Sequence, residues 1–405
     1  MNKSIHKPDS DNKVYVIPCN HYNKTKEKLA ELFNMMGGIK QFVKAGEKIV
    51  LKPNLLMPAN PEKAVTTHPS ILEALGSLVQ SQNTKPVIAD SLGSGYVYTQ
   101  QILKKLYTKC GIKQAAQNSG IPLNYDTSYE SIFFPEGKLI KRFEVIKPVV
   151  ESDAVFNLCK LKTHTFMIIT GAIKNIFGVI PGRTKPGYHA KLNDTAYFAS
   201  MLLDLAAYIK PRLSIMDAVI GMEGNGPSAG NPVKIGYLLA STNPLALDLI
   251  AGEITGLPRE QNPVLIEAQK RNWIPYSSEE IEIIGSNLEE LRIPGFKLPE
   301  TVVKGSGFDM IPSFLSRTAH YFAKSATSLK PRIDKNKCTA CGTCKEACPV
   351  KAINIIDKKY AHINTKECIR CYCCHEMCEY QAVKLHKNFL YRLANRAESF
   401  SCASQ

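Results

Sequence analysis

Short runs rich in β-branched residues alternate with amphipathic stretches between residues 13 and 300. The apolar runs predict strands at 13–19, 48–56, 86–91, 154–162, 213–221 and 234–241. The amphipathic stretches predict helices at 25–36, 69–81, 97–109, 193–209 and 243–254. This alternation is typical of an α/β domain, in which a mostly parallel sheet is wrapped by helices. In such a domain ligands bind beyond the carboxyl ends of the strands.

Composition narrows the class of protein. The chain has 405 residues, of which 44% are hydrophobic and 21% charged, as in a soluble globular protein of more than one domain. Lysine and arginine outnumber aspartate and glutamate by 51 to 36, and the net charge of +15 favours anionic ligands or partners. The N-terminal segment lacks the apolar core of a signal peptide, and no apolar stretch is long enough to cross a bilayer. We therefore expect a cytoplasmic protein without a transmembrane segment.

The thirteen cysteines need an explanation other than disulfides, which are rare in the cytoplasm. Nine of them lie between residues 338 and 378, where the pattern C-x2-C-x2-C-x3-C occurs twice with a constant offset of thirty residues. Glu346 and Ala352 recur at the same offset as Glu376 and Ala382. Cys373 occupies the position of a threonine in the first copy, so it is an extra thiol outside the repeated pattern.

This spacing is typical of cubane iron–sulfur ligation, in which three closely spaced cysteines hold one 4Fe-4S cluster and the fourth reaches a second cluster. The first predicted set of ligands is Cys338, Cys341, Cys344 and Cys378. The second predicted set is Cys368, Cys371, Cys374 and Cys348. Tetrahedral zinc is the alternative, but zinc sites usually take two C-x2-C pairs separated by a longer spacer.

These cysteines, with Pro349 directly after Cys348, resemble the bacterial two-cluster ferredoxin module over about residues 330–387. The second copy departs from that pattern, because Glu379 replaces the proline and Tyr372 replaces a glycine. The resemblance implies a small α+β ferredoxin-like domain with two 4Fe-4S clusters that carry electrons.

The domain organisation follows from where the patterns change. Residues 352–364, between the two cysteine runs, alternate apolar and polar side chains around Asp357, which predicts a hairpin. Residues 301–332 lose the strand and helix alternation but keep an amphipathic stretch. We predict an α/β domain at 1–300, a linker with a docking helix at 301–332, the two-cluster domain at 333–387 and a tail at 388–405.

Polar side chains follow several predicted strands. Lys160, Lys162 and His164 alternate along one segment, so they project from one face of an extended chain and could converge on one anion. The predicted anion-binding residues are Lys52, Asn54, Thr67, His68, Lys160, Lys162, Lys174 and Asn175. We name His164 as the candidate proton donor. A solvated basic surface is the alternative for the lysines.

The glycine-rich segment 216–232 offers a second candidate site. Asp217, Glu223 and Asn225 supply oxygen atoms, the ligands that magnesium and other hard cations prefer. A glycine-rich turn without a ligand is the alternative. His164, His189 and Asp217 form a further candidate set, for a transition metal.

Standard nucleotide-binding signatures are missing, because the glycines at 92–98 lack the third glycine of the dinucleotide pattern and 178–185 is not a P-loop. The segments 50–56, 66–75, 157–182, 216–227 and 241–252 together resemble the family catalogued as domain of unknown function 362. This resemblance spans about residues 48–255. Members of the family often carry a two-cluster ferredoxin segment behind that domain, which agrees with the order of the two regions here.

We expect an iron–sulfur oxidoreductase of low-potential, anaerobic metabolism that passes single electrons to or from an anionic substrate or cofactor on the α/β domain. A redox partner protein is also expected. The alternative is a non-catalytic electron carrier or maturation partner that docks on another redox enzyme. An iron–sulfur regulator that binds nucleic acid is less favoured, because the chain lacks a helix-turn-helix and an aromatic and basic single-strand surface.

Overall fold

The computed structural model describes residues 12–274, 278–300 and 329–386. In the first two ranges the strands are β1 Lys13–Pro18, β2 Lys48–Lys52, β3 Lys85–Ile88, β4 Tyr129–Phe133, β5 Arg142–Ile146, β6 Ala154–His164, β7 Ile168–Ile169, β8 Leu213–Glu223, β9 Asn231–Ser241 and β10 Glu282–Ile284. The α-helices are α1 Thr25–Met35, α2 Pro69–Gln80, α3 Gln100–Lys109, α4 Ile112–Ser119, α5 Lys147–Val150, α6 Gly171–Ile176, α7 Lys185–Lys191, α8 Thr195–Ile209, α9 Pro244–Thr255, α10 Pro263–Lys270 and α11 Leu288–Leu291.

The main sheet is mixed and mostly parallel, as predicted. Its strand order is β10-β1-β9-β8-β6-β2-β3, with the short β7 paired to β6. The neighbours β8, β6, β2 and β3 are parallel, and β1 is parallel to β10. The long strand β9 runs antiparallel between β8 and β1. All eleven residues of β6 are buried, which is expected of a central strand covered on both faces.

Local signals explain where the predicted helices begin. In α2 the imidazole of His68 accepts the N–H of Ser70, and proline occupies the first helical position. In α9 the side chain of Asn243 accepts the N–H groups of Leu245 and Ala246. The five predicted helices and six predicted strands all occur, with ends shifted by up to a few residues.

The prediction missed short elements. A two-stranded antiparallel sheet of β4 and β5 lies off the main sheet. The helices α6 and α7 lie within residues 170–191, which we interpreted only as a basic, glycine-containing segment. Each has at most seven residues, too few for a helical period to appear in the sequence.

The cysteine-rich domain has a simpler architecture. Its elements are β11 Lys330–Ile333, α12 Thr343–Glu346, β12 Ile353–Ile356, β13 Tyr360–Ile363, α13 Cys373–Glu376 and β14 Val383–His386. Strands β11 and β14 pair, and β12 and β13 form the predicted hairpin, whose turn has Asp357 in the left-handed region at φ 49°. Strand β11 begins at Lys330, three residues before the predicted start of this domain at 333. Residues 301–328 of the predicted linker at 301–332, and the whole predicted tail at 388–405, lie outside the described residues.

The two domains pack together mainly through the second cysteine-bearing turn, with Ala347 of the first copy also in the contact. Met57, Val65 and Met222 of the large domain form one apolar cluster with Cys373 and Met377. Glycines in the loop after β3 allow this close approach. At Gly93 a Cβ atom would lie 2.9 Å from the sulfur of Met377, and at Gly95, where φ is +92°, it would lie 2.8 Å from the Cβ of Ala347.

The glycine-rich hairpin between β8 and β9 also contacts the cysteine-rich domain. The carbonyl oxygen of Asn225 lies 3.2 Å from Nε2 of His375. The hydroxyl of Ser228 donates to the carbonyl oxygen of Glu376. This segment, which we interpreted as a candidate cation site, is therefore a docking element for α13.

Candidate functional site

The first predicted set of cysteines surrounds one cavity. Its lining includes Cys338, Cys341, Cys344 and Cys378, and it has an empty volume of about 340 Å³ including its mouth. The inclusion of Cys378, from the second copy of the repeat, agrees with the crossed ligand pattern. Burial raises the pKa of the Cys344 thiol to about 12, and the thiols of Cys378, Cys341 and Cys338 add to that rise. Apart from the thiols, the wall is mostly apolar, which suits a cluster.

The second predicted set is grouped in the same way. Burial raises the pKa of the Cys374 thiol, and the neighbouring sulfurs that raise it further include those of Cys371, Cys368 and Cys348. Cys371 and Cys374 are both buried, whereas Cys341 in the first set is exposed. The two sets therefore differ in their access to solvent.

Backbone N–H groups stabilise thiolate at both sets. The N–H of Ala352 lies 3.2 Å from the sulfur of Cys348, and the N–H of Ala382 lies 3.2 Å from that of Cys378. The repeated alanines of the sequence are thus the repeated donors. Hydrogen bonds to cluster sulfurs are one of the means by which proteins set a cluster's reduction potential.

A polar pocket lies between the sheet and the cysteine-rich domain, with an empty volume of about 490 Å³ including its mouth. Its walls come from the ends of β2 and β6, the loop after β3, α6, α7 and α13. The polar residues that line it are Asn54, Asp90, Ser91, Ser94, Lys162, His164, Thr170, Lys174, Asn175, Lys185, His189 and Glu376. Ligands are expected at this edge of the sheet, beyond the carboxyl ends of the parallel strands.

The ammonium groups of three lysines in the pocket differ in the hydrogen bonds that they donate. Lys162 donates to the carbonyl oxygens of Val65 at 2.6 Å and Pro227 at 3.3 Å. Lys185 donates to the hydroxyl of Ser91 at 2.7 Å and to a backbone carbonyl. Lys174 makes no hydrogen bond to any residue of the described ranges, and its ammonium lies 4.8 Å from the ring centroid of Phe177.

Burial in a low-dielectric environment shifts the pKa of each lysine. Desolvation lowers the pKa of Lys185 to about 7, with Asp90 opposing that shift and Lys52 and Lys174 adding to it. Desolvation also lowers the pKa of Lys162 and that of Lys174. Glu376 opposes both of these shifts, so it is the carboxylate that faces the two ammonium groups.

Five residues that line the pocket keep buried atoms without a hydrogen-bond partner in the described part of the chain. These atoms are Asp90 Oδ1, which is in ion-pair contact with Lys52, and Asn54 Oδ1, Thr170 Oγ1, His189 Nδ1 and Glu376 Oε1. The last of them lies 3.5 Å from Nε2 of His164, beyond a good hydrogen bond. Buried polar atoms are normally paired, so this concentration of unpaired atoms in one pocket indicates a place where something binds.

His164 lies in the pocket, but its hydrogen bonds do not suit a proton donor. Its Nδ1 accepts the N–H groups of Phe166 at 3.1 Å and Met167 at 3.2 Å, so the neutral ring carries its proton on Nε2. Burial, with Lys174 adding to its effect, holds the pKa of His164 well below its usual range. We therefore revise its predicted role to that of a neutral hydrogen-bond donor.

The predicted anion-binding residues divide into separate groups. Asn54, Lys162, Lys174 and Asn175 line the pocket. Lys52 lies behind it in a buried ion pair with Asp90, at 2.8 Å.

The remaining predicted residues belong to a hydrogen-bond network outside the pocket. Lys160 pairs with Asp217 at 2.8 Å, and the N–H of His68 donates to the same carboxylate. The hydroxyl of Thr67 donates to the carbonyl oxygen of Leu158. Asp217 compensates the buried charge of Lys160, so we assign these residues a structural role.

The structure does not bring the predicted cation ligands together. The carboxylate of Glu223 accepts the N–H of Lys297, and Asn225 Oδ1 accepts the N–H of Glu300, while Asp217 is held by Lys160. His164 and His189 face the pocket, and Asp217 does not. Within the described ranges no three His, Cys, Asp or Glu side chains converge as ligands of a single metal ion. Neither predicted cation site is formed.

Several pocket residues were missed by the sequence prediction. Glu376 is the equivalent of Glu346 in the second copy of the repeat. That equivalence was visible in the sequence, but a repeated glutamate does not indicate that it lines a pocket. Lys185 and His189 were noted only as parts of a basic segment. Thr170 and Ser94 carried no signal, because only the packing of α6 and of the loop after β3 brings them to the pocket.

Comparison with known proteins places this geometry in a class. Residues 331–354 match the model of the 4Fe-4S binding domain. The protein is therefore an iron–sulfur protein with at least one 4Fe-4S cluster, held in the cysteine-rich domain. Residues 49–253 match the model described as Domain of unknown function (DUF362). Because this match covers just over half of the chain, the chain belongs to the DUF362 family.

The chain is similar to a curated relative and to a solved structure. The thylakoid-associated protein sll1697 of Synechocystis sp. (strain ATCC 27184 / PCC 6803 / Kazusa) is 32% identical over 283 residues, which is 68% of this chain and 83% of the relative. The lactate racemase apoprotein from Thermoanaerobacterium thermosaccharolyticum matches 64% of this chain and 59% of its own, less than two thirds, with 13% identity and a TM-score of 0.41. That second likeness is too distant to support an argument. Among the described helices, none combines the length and apolar character needed to span a membrane.

Proposed function

We propose that the protein passes single electrons between two 4Fe-4S clusters and an anionic molecule held in the polar pocket. The observation that carries this proposal is the position of Glu376. Its side chain lines the pocket, and along the chain it lies midway between Cys374 of the second set and Cys378 of the first. Bound clusters would supply one-electron chemistry, whereas the pocket would hold the molecule that gains or loses electrons.

The chain's own residues have defined roles in this proposal. Lys162, Lys174 and Lys185 attract and orient the anion. The Nε2–H of His164 donates a hydrogen bond to it. Met377 and Cys373 are buried in the apolar cluster between the domains together with Cys371 of the second set, and we expect them to keep water from that side.

The different exposure of the two cysteine sets favours an order of electron flow. The exposed Cys341 belongs to the first set, so a redox partner protein would exchange electrons there. Cys371 and Cys374 of the second set are buried, and Cys371 belongs to the apolar cluster between the domains, so we place the second cluster on the side of the pocket. Nucleic acid stays an unfavoured partner. The cytoplasmic location stays a prediction, which fractionation of native cells tests directly, since one relative is thylakoid-associated.

Anaerobic purification of the full chain tests the proposal. We expect about eight iron and about eight sulfide ions per chain, and reduced protein whose electron paramagnetic resonance spectrum shows two interacting spins. Mass spectrometry of the released small molecules should find an anion in stoichiometric amount. Four iron ions per chain, or zinc in their place, would contradict the two-cluster assignment.

A purely electron-carrying role is the second candidate, favoured by the exposure of Cys341. The variant Lys162→Met separates the two functions, because Lys162 lines the pocket and the exposed Cys341 does not. An unchanged rate of electron exchange with every acceptor, with both clusters intact, would support the carrier. Loss of turnover with the pocket anion alone would support the oxidoreductase.

A further inference from the structure

The polar pocket holds more buried positive than negative charge. Lys52, Lys162, Lys174 and Lys185 contribute four ammonium groups in or directly behind its wall, and Asp90 and Glu376 contribute two carboxylates. When all six groups are ionised, two positive charges are uncompensated among them. Burial of unpaired charge is unfavourable, so the pocket either loses protons or takes up negative charge from a ligand.

The excess positive charge lies on lysines that a ligand in the pocket can reach. Asp90 is already engaged by Lys52 at 2.8 Å and by the N–H of Leu55 at 2.9 Å, so it does not balance the remaining lysines. Lys174 is only partly buried and makes no hydrogen bond to any described residue. Its ammonium is the pocket's free positive group.

The unpaired polar atoms give a second, independent indication of a ligand. Thr170 is 4% exposed and His189 is 2% exposed, and each keeps a side-chain atom without a partner in the described ranges. With the Nε2–H of His164 they offer hydrogen bonds to oxygen atoms. These side chains come from β6, α7 and the residue before α6, so the binding groups surround the pocket from several directions.

We propose that the pocket binds a small dianion, of the phosphate or dicarboxylate type, between Lys162, Lys174 and Lys185. This inference rests on the proposed function, because it names the class of the anion that the pocket holds. A dianion cancels the two uncompensated charges, and its oxygen atoms accept from the lysines, Thr170 and His164. A monoanion leaves one charge unbalanced and binds more weakly.

Isothermal titration calorimetry on the anaerobically prepared, cluster-loaded full chain tests the inference at constant ionic strength. The probes are inorganic phosphate, sulfate, succinate and, as the monoanion of matched length, butyrate. We expect at least one dianion to bind at least tenfold more tightly than butyrate. Phosphate and sulfate without succinate would assign a tetrahedral oxyanion site, and succinate alone a dicarboxylate site.

Two variants and a control keep the test specific. Lys174→Met should abolish the preference for dianions, because it removes the free ammonium. Lys26→Met, an exposed lysine of α1, is the matched control and should leave binding unchanged. If Lys174→Met does not retain its clusters, Lys174→Gln takes its place. Glutamine keeps much of the length of the side chain but not its charge.

Three outcomes overturn the inference. The first is that no dianion binds, and the second is that succinate and butyrate bind with equal affinity while phosphate and sulfate do not bind. The third is that both Lys174 variants bind the dianion as tightly as the wild type does. A shift in cluster potential in Lys174→Met without anion binding would mean that the lysines serve the cluster alone. Failure of the proposed function looks different: the dianion binds, but the redox titration of the clusters does not respond to it.

Discussion

The two copies of the cysteine repeat have the same local structure and opposite surroundings. Each places a four-residue helix, α12 or α13, after a residue in the left-handed conformation, Gly342 at φ 83° and Tyr372 at φ 61°. In the first helix Lys345 and Glu346 are exposed, and Cys344 is its buried residue. All four residues of the second helix, including Glu376, are buried.

The repeat therefore specifies how the cysteines are held, but it does not specify the surroundings of each cysteine set. In the second copy Tyr372 replaces a glycine at a left-handed position, which is unfavourable for a bulky residue. Its side chain compensates by packing against Leu329, whose carbonyl oxygen accepts the tyrosine hydroxyl at 3.3 Å. Of the departures from the ferredoxin pattern, Cys373 is buried in the contact with the large domain, whereas Tyr372 packs within the cysteine-rich domain.

The largest expected effect tests which cysteines share a cluster. Cys378→Ser should remove the first cluster although Cys378 lies in the second copy, so about half of the iron should be lost. Its electron paramagnetic resonance spectrum should match that of Cys341→Ser. Cys348→Ser should instead match Cys371→Ser. An uncrossed arrangement predicts the reverse matches.

The next prediction measures how strongly the second copy is docked. Met377→Ala removes a side chain that is 1% exposed in the contact between the domains, and we expect a loss of about 2–5 kcal/mol in the free energy of unfolding. Urea denaturation followed by the visible absorption of the clusters gives this value. Glu346→Ala, on the exposed first helix, is the control and should change stability by less than about 0.5 kcal/mol. Equal effects of the two substitutions would mean that the interface contributes no stability.

A smaller effect distinguishes the repeated glutamates. Glu376→Gln removes a negative charge from the pocket while keeping its shape, so phosphate or succinate should bind more tightly, by about tenfold or 1.4 kcal/mol. Glu346→Gln should leave the affinity unchanged, since Glu346 is exposed on the other copy. Calorimetry on the cluster-loaded variants compares them. Weaker binding by Glu376→Gln would show that Glu376 holds the ligand rather than competing with it.

The smallest effect is a pH dependence of ligand binding in the pocket that the second copy lines. Desolvation lowers the pKa of Lys185 to about 7; Asp90 opposes this shift, and Lys52 and Lys174 add to it. Lys185 is protonated below this pKa, so the affinity for sulfate, whose own charge is constant in this range, should be highest below about pH 7 and fall as the pH rises, by at most tenfold per unit. Lys185→Met should weaken binding and flatten this part of the profile. A wild-type affinity that stays constant between pH 6 and 8 would contradict the assignment.

Much of the fold was accessible from local patterns. The strands β6 and β8 are long apolar runs, and helices such as α9 carry a proline and an asparagine cap, so both could be predicted from short windows of sequence. The basic side chains after β6 were correctly identified as candidates, but alternation could not show that Lys160 would be neutralised by Asp217 from a strand 57 residues away. The predicted cation site was wrong for the same reason, because the groups that pair with the oxygens of Asp217, Glu223 and Asn225 are distant in the chain.

The cysteine spacing, the hairpin at Asp357 and the α/β character of the large domain can be predicted from the sequence alone, because each depends on spacing or periodicity among residues close in the chain. Packing in three dimensions places α13 at the edge of the sheet and brings Glu376 together with Lys162, Lys174 and Lys185 around one pocket. The physical reason is that charge balance and hydrogen-bond satisfaction depend on groups from separate elements, whose proximity is set by packing. The close approach at Gly93 and Gly95 brings the cluster domain to the place where those groups meet.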